Sequence, residues 1–259
     1  MIVFAGPSLS APATARWPNV DFRPPARQGD VYLAALERPA AIGLIDGYFE
    51  GVPAVWHKEI LWALNRGIPV LGASSMGALR AAELDAFGMQ GVGAIYQAYQ
   101  RLEYTDDDEV ALLHGPAELG YPVVSLAMVN LRATVRAADS AGVLDTKTAK
   151  SIVSAGKSQH YKARTWDTVI AAAMTEMTDH VADNLRCWIR ENEVDQKQQD
   201  ACTLLDLMIQ STLRRPAADF HFEETDLWVQ ATSAWQARQK TATSPSGYNL
   251  FEDKSFTGD

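Results

Sequence analysis

The chain has 259 residues, with 23 Lys and Arg against 32 Asp and Glu, a formal charge of −9, and two cysteines. That length buries a full core without disulfide staples, and the acidic balance argues against a nucleic-acid binder, whose footprint should be basic. Met1 to Ser10 carry no basic n-region and no long apolar core, and no run of about twenty apolar residues is available to span a bilayer, so a cytoplasmic protein with no membrane partner is expected, Cys187 and Cys202 serving as small core hydrophobes in a reducing compartment.

In chain order, a first apolar run, Ile2 to Ala5, precedes a Pro-rich stretch, Trp17 to Arg27, that reads as a surface loop, and a short helix from about Asp30 to Leu36. A second run, Ala41 to Ile45, ends at Asp46-Gly47. A helix over about Val55 to Asn65 follows, closed by Gly67 and Pro69. The third run, Ile68 to Leu71, delivers the turn Gly72-Ala73-Ser74-Ser75-Met76-Gly77 and a helix to Leu84. From Leu119 the pattern turns helical, over Val123 to Ala138, Thr146 to Ala155, His160 to Met174, His180 to Glu193, Asp200 to Leu213 and Leu227 to Gln239. The expected architecture is α/β: a small, mostly parallel sheet flanked by helices over 1–118, a mainly helical half packed on it over 119–240, and a mobile tail over 241–259.

Parallel strands joined by helices bring their carboxyl ends to one edge, where ligands bind. Asp46, Lys58 and Ser75 are expected there. A strand, a tight turn with a serine and a helix make a nucleophile elbow, which needs small residues two positions to either side. Ser75 meets this with Ala73 and Gly77, while Ser74 has Met76 in its downstream position. The same turn equally suits a serine that only caps its helix.

Lys58 falls in the first turn of its helix, where unpaired amides and the dipole disfavour a positive charge. Such a lysine can take the proton from a serine, with the Met76 amide and a second one from Gly6 or Gly47 holding the oxyanion. It can as well lie over Trp56 or Trp62. His57 is the alternative base, but neighbours on a helix point about 100° apart. Asp46, His57, Ser74, Gly77 and Arg80 are the expected substrate contacts.

Two further segments invite chemical readings. Asp106-Asp107-Asp108-Glu109 with His114 lacks a ligand spacing and reads as a solvated loop, so no metal is expected. Gly88-Met89-Gln90-Gly91-Val92-Gly93 follows a helix rather than a strand, which excludes a dinucleotide turn and leaves glycines that admit a narrow peptide. Arg132, Arg136, Lys147, Lys150, Lys157, Lys162 and Arg164 form either a positive face for an acidic partner or a solvated helical face.

Gly6-Pro7-Ser8, Ile45-Asp46-Gly47, His57-Lys58-Glu59-Ile60-Leu61, Gly72 to Leu84, Gly88-Met89 with Gly91-Val92-Gly93, and Asp108-Glu109-Val110 with His114 resemble the TfuA-like family, partners of YcaO enzymes in peptide backbone thioamidation. The resemblance covers about Met1 to His114. It implies a Ser/Lys pair, here Ser75 and Lys58, that releases sulfide from a thiocarboxylated sulfur carrier of the ThiS type. It also implies binding to YcaO, which would use the sulfide and consume the ATP, and a firmer hold of YcaO on its precursor peptide. No cofactor is implied for this chain. Arg80 would face the thiocarboxylate or pair with Glu83. A non-catalytic adaptor and a stand-alone serine esterase or peptidase are the competing readings.

Overall fold

The computed structural model describes residues 1–9, 11–210, 213, 216 and 219–243. Two compact units are present, 1–221 and 222–259. The first carries a five-stranded parallel sheet of β1 (Ile2–Phe4), β2 (Asp21–Arg23), β3 (Ile42–Leu44), β4 (Val70–Ala73) and β5 (Gln90–Val92), in the order β2-β1-β3-β4-β5. β1, β3 and β4 are buried at every residue. Strands covered on both faces lose polar alternation and become short continuous apolar runs, which is why these three stand out in the sequence.

The two edge strands do not. β2 lies inside the stretch expected to be a surface loop, yet it pairs with β1 through Ile2 and Asp21, and Trp17 beside it is 2% exposed, its indole N–H donating to Asp206 at 3.0 Å. β5 lies inside the glycine segment that was expected to follow a helix directly. The space over Gly91 is filled by the Tyr96 ring and that over Gly93, at φ 95°, by Asp200, so these glycines serve packing rather than a peptide groove.

Helices α1 (Ala11–Thr14), α2 (Asp30–Leu36), α3 (His57–Asn65), α4 (Met76–Leu84) and α5 (Gly93–Gln100) connect the strands or follow them. α2, α3 and α4 pack on one another and on β3 or β4. Glu59 joins the first two: wholly buried, it accepts the Trp56 amide at 3.0 Å and the Tyr32 amide at 3.3 Å, satisfying donors at the start of both helices.

Beyond this lie α6 (Met128–Ser140), α7 (Thr146–Lys157), α8 (Trp166–Ala173), α9 (Asp179–Asn192) and α10 (Gln196–Gln210). α6 to α9 share their own core, in which Leu131, Val135, Ile152, Ile170, Leu185 and Ile189 are buried. α10 leaves that bundle and returns to the sheet. Leu204 and Met208 close over Gly43 of β3, where a Cβ would lie 2.9 Å from the Met208 sulfur. The expected helix over Val123 to Ala138 begins only at Met128, because His114 and Val123 pair in a β-bridge that holds the preceding segment extended.

The second unit holds α11 (Asp226–Thr243), with Trp228 edge-on to Phe222 and to Trp235. Of the expected tail, 241–243 belong to α11 and 244–259 lie outside the described residues. Cys187 is exposed on α9 rather than in a core, and Cys202 is half-buried; both are free. Among the described residues no helix is long and apolar enough to cross a membrane.

Candidate active site

In a sheet of order 2-1-3-4-5 the chain reverses direction between β1 and β3, and the crevice at the carboxyl ends of these strands is where such sheets bind ligands. Gly6-Pro7-Ser8 follow β1, Asp46-Gly47 follow β3, and Ser74-Ser75 follow β4. Asp46 ties the first two segments together. It is 1% exposed; one carboxylate oxygen accepts the Gly6 and Ser8 amides at 2.8 and 3.0 Å, and the other accepts the Ser8 hydroxyl at 2.6 Å. The Gly6 amide is therefore committed to Asp46 and is not free for an oxyanion.

The serine turn is tight and strained. The Ser75 amide donates to the Ala73 carbonyl at 2.8 Å, closing a three-residue turn whose centre, Ser74, has φ 69°. Backbone packing makes the turn possible. A Cβ on Gly77 would lie 1.7 Å from the Leu44 carbonyl oxygen, and one on Gly72 would lie 2.1 Å from that of Gly77. The Gly77 amide donates to the Ile45 carbonyl at 3.2 Å, which clamps the start of α4 onto the end of β3.

Ser75 stands at the N-cap position of α4, but no side-chain hydrogen bond caps the helix. It lines a cavity of about 300 Å³ with Pro7, Asp46, Gly47, Tyr48, Val110, His114, Lys162 and Lys197 among its neighbours. Among the described residues the Met76 and Gly47 amides have no acceptor. Ser74 is fully buried, its hydroxyl has no hydrogen-bond partner, and it is not part of the cavity wall.

Two of the expected site residues, His57 and Arg80, sit together away from this wall. His57 Nε2 is 2.7 Å from Glu83, and Arg80 donates to Glu83 at 2.7 Å and to the Val55 carbonyl at 3.1 Å. Burial alone would raise the Glu83 carboxyl; the His57 hydrogen bond and the Arg80 charge outweigh it and hold the group below its usual range. Lys58, the second residue of α3, is half-buried and is likewise not in the cavity wall.

Two lysines do line the cavity: Lys162, which is paired with Glu50, and Lys197, which was not singled out from the sequence. Lys197 sits in the first turn of α10, 2% exposed, its Nζ donating to the Val110 carbonyl at 2.8 Å. Burial lowers its pKa, opposed by the nearby charges of Asp46 and Asp195. The apolar period that marks α10 starts only at Ala201, after a polar run of Gln196-Lys197-Gln198-Gln199. His114 also lines the cavity, with Nδ1 2.8 Å from the Gly115 carbonyl.

Only the first half of the acidic run is solvated: Asp106 and Asp107 are exposed, while Asp108 and Glu109 turn inward. Glu109 is 3% exposed and takes both Arg132 donors at 2.8 and 2.9 Å; Asp108 accepts from the wholly buried Arg164 at 2.8 Å; Lys157 lies within 3.2 Å of Asp106, Asp108 and Glu109. Three of the expected basic-face residues are thus internal counter-ions that pin the segment carrying Val110 to α6 and α7. Among the described residues no group of His, Cys, Asp and Glu could hold a metal.

No curated protein matches the chain. Residues 46–165, from the Asp46 carboxylate through the serine turn and His114 to Arg164, match the model of the TfuA-like protein family.

Proposed function

We propose that the chain hydrolyses the C-terminal thiocarboxylate of a ubiquitin-fold sulfur carrier of the ThiS type, with Ser75 as nucleophile, and hands the sulfide to a YcaO enzyme that thioamidates a peptide. The TfuA-like match supports the setting, thioamidation beside YcaO. The observation that carries the chemistry is the Ser75 hydroxyl. It does not cap α4; Ser75 lines a cavity at the switch point of the sheet, Gly47 lies on the same wall, and the amides of Gly47 and of the sequence neighbour Met76 have no acceptor among the described residues.

The Ser75 oxygen attacks the thiocarboxylate carbon as a lysine takes the hydroxyl proton. The Met76 and Gly47 amides stabilise the charge on oxygen. The carbon–sulfur bond breaks, the proton passes to sulfur, and hydrosulfide leaves an acyl ester on Ser75. Water then cleaves that ester to a carboxylate. In sum, thiocarboxylate and water give carboxylate and hydrogen sulfide. A cavity of about 300 Å³ suits the thin end of a glycine-rich tail better than a bulky side chain. The two free cysteines suit a reducing cytoplasm.

Reconstituted thioamidation separates this from an adaptor that escorts YcaO or its peptide. With the thiocarboxylated carrier as sole sulfur source, Ser75→Ala is expected to stop thioamidation, and with free sulfide to restore it. Full thioamidation by Ser75→Ala from the carrier alone would leave the adaptor. Rapid turnover of simple acyl esters without any carrier would instead favour a stand-alone esterase.

A further inference from the structure

Granted that reading, the identity of the base remains to be assigned, and the cavity wall assigns it. Lys197 and Ser75 line the same cavity although they come from α10 and from the end of β4. Nζ of Lys197 has one hydrogen-bond acceptor among the described residues, the Val110 carbonyl, and no carboxylate within ion-pair distance. No carboxylate is close enough to hold an ammonium there, whereas a neutral amine donates once to the Val110 carbonyl and keeps a lone pair for a neighbouring O–H. We infer that Lys197, rather than Lys58, accepts the Ser75 hydroxyl proton and returns it to the departing sulfur.

The first turn of α10 is held for this task from three sides. Asp195 accepts the Gln198 amide at 3.0 Å and the Asn130 side chain at 3.0 Å; Asn130 in turn accepts the Lys197 amide at 3.1 Å. One turn on, Asp200 accepts the Ile95 amide at 2.8 Å and joins α10 to the start of α5. Lys197 lies outside the TfuA-like span of 46–165, so the base and the nucleophile come from different parts of the chain.

The charged and titratable groups around Nζ are Asp46 and Asp195 by their fields, with Glu50, His114, Tyr48, Tyr161 and Lys162 on the rest of the cavity wall. Burial favours the neutral amine, the direction a base needs.

The test is to follow, by mass spectrometry, the labelling of Ser75 by a fluorophosphonate and, in parallel, sulfide release from a thiocarboxylated ThiS-type carrier. Full-length wild type, Lys197→Met, Lys58→Met and His114→Asn are compared. Lys197→Met, close in shape and relieved of a buried amine, is expected to keep its melting temperature and to lose about 100-fold or more in both rates. Lys58→Met should stay within a few fold, and His114→Asn, on the cavity wall, should lose less than Lys197→Met. Loss confined to Lys58→Met or His114→Asn would overturn the assignment of Lys197 and leave the hydrolase intact. Wild type that neither labels nor releases sulfide would overturn the hydrolase and the base together. If Lys197→Met does not fold, the pH profile of Ser75 labelling in Lys58→Met decides. A rising limb well below the ordinary lysine range, the same as in wild type, supports Lys197; its disappearance in Lys58→Met refutes it.

Discussion

Two adjacent serines end β4 in opposite circumstances. Ser74 has a left-handed backbone, at φ 69°, and buries a hydroxyl with no partner; Ser75, at φ −113°, lines the cavity. Strain of this kind costs on the order of 1–3 kcal/mol and gathers at functional turns. Ser74→Ala removes only an unmet hydroxyl and is expected to leave sulfide release within about threefold, while Ser75→Ala abolishes it; loss in Ser74→Ala with activity kept in Ser75→Ala would exchange their roles. The residue pattern did reveal the turn and the spacing around Ser75, because small residues are demanded locally. Lys197 was illegible for the converse reason: its burial is produced by Val110, Asp46 and α6, none of them near it in sequence. Glu59 is a second case. Burial raises its carboxyl to about 7, against the three amides of Gly29, Trp56 and Tyr32 that oppose the shift. A carboxyl raised on folding stabilises most below its unfolded value near 4.5. That contribution is lost as pH rises through about 7. Relative to Glu59→Gln, wild type is expected to lose on the order of 3 kcal/mol of stability between these limits, read from urea midpoints at pH 5 and pH 8.

At the scale of elements, the central strands and the early helices could be read from the chain, and the edges could not. β1, β3 and β4 are apolar throughout because both faces are covered, whereas β2 is Asp21-Phe22-Arg23 and β5 is Gln90-Gly91-Val92, edge strands whose polar positions look like loop. Arg23 spans Asp21 and Glu37 at 2.8 and 2.7 Å, so even the charges of β2 are spent on fastening it to the end of α2. The β4–α4 junction depends on backbone contacts that a single methyl destroys. Gly77→Ala sets a Cβ against the Leu44 carbonyl with no side chain able to yield, and is expected to cost at least about 3 kcal/mol or prevent folding, measured by urea unfolding. A Gly77→Ala protein of wild-type stability would mean that α4 is not seated on β3 as described.

Over the whole of the first unit, the site is assembled from distant stretches: the loop after β1, the β3-to-β4 region, the segment Val110 to His114, Tyr161-Lys162, and the first turn of α10. The TfuA-like span of 46–165 contains most of that wall but neither the loop after β1 nor the first turn of α10. It lacks β1, β2 and β3 and the helix that covers Gly43, so a fragment of residues 46–165 is expected to show no cooperative thermal transition, while the full chain shows one by circular dichroism. A sharply melting fragment would show that the sheet does not need those parts. The same geometry explains why the helical half could be recognised as helical but not as part of the site, since periodicity marks the faces of α10 and not what its first turn meets. The central claim is that Ser75 releases sulfide, and the most direct measurement is sulfide production from a purified thiocarboxylated ThiS-type carrier, with the mass of the carrier terminus followed in wild type and in Ser75→Ala. Conversion of thiocarboxylate to carboxylate by wild type, with stoichiometric sulfide and no conversion by Ser75→Ala, is the expected result; a carrier that keeps its sulfur in the presence of wild type would contradict it.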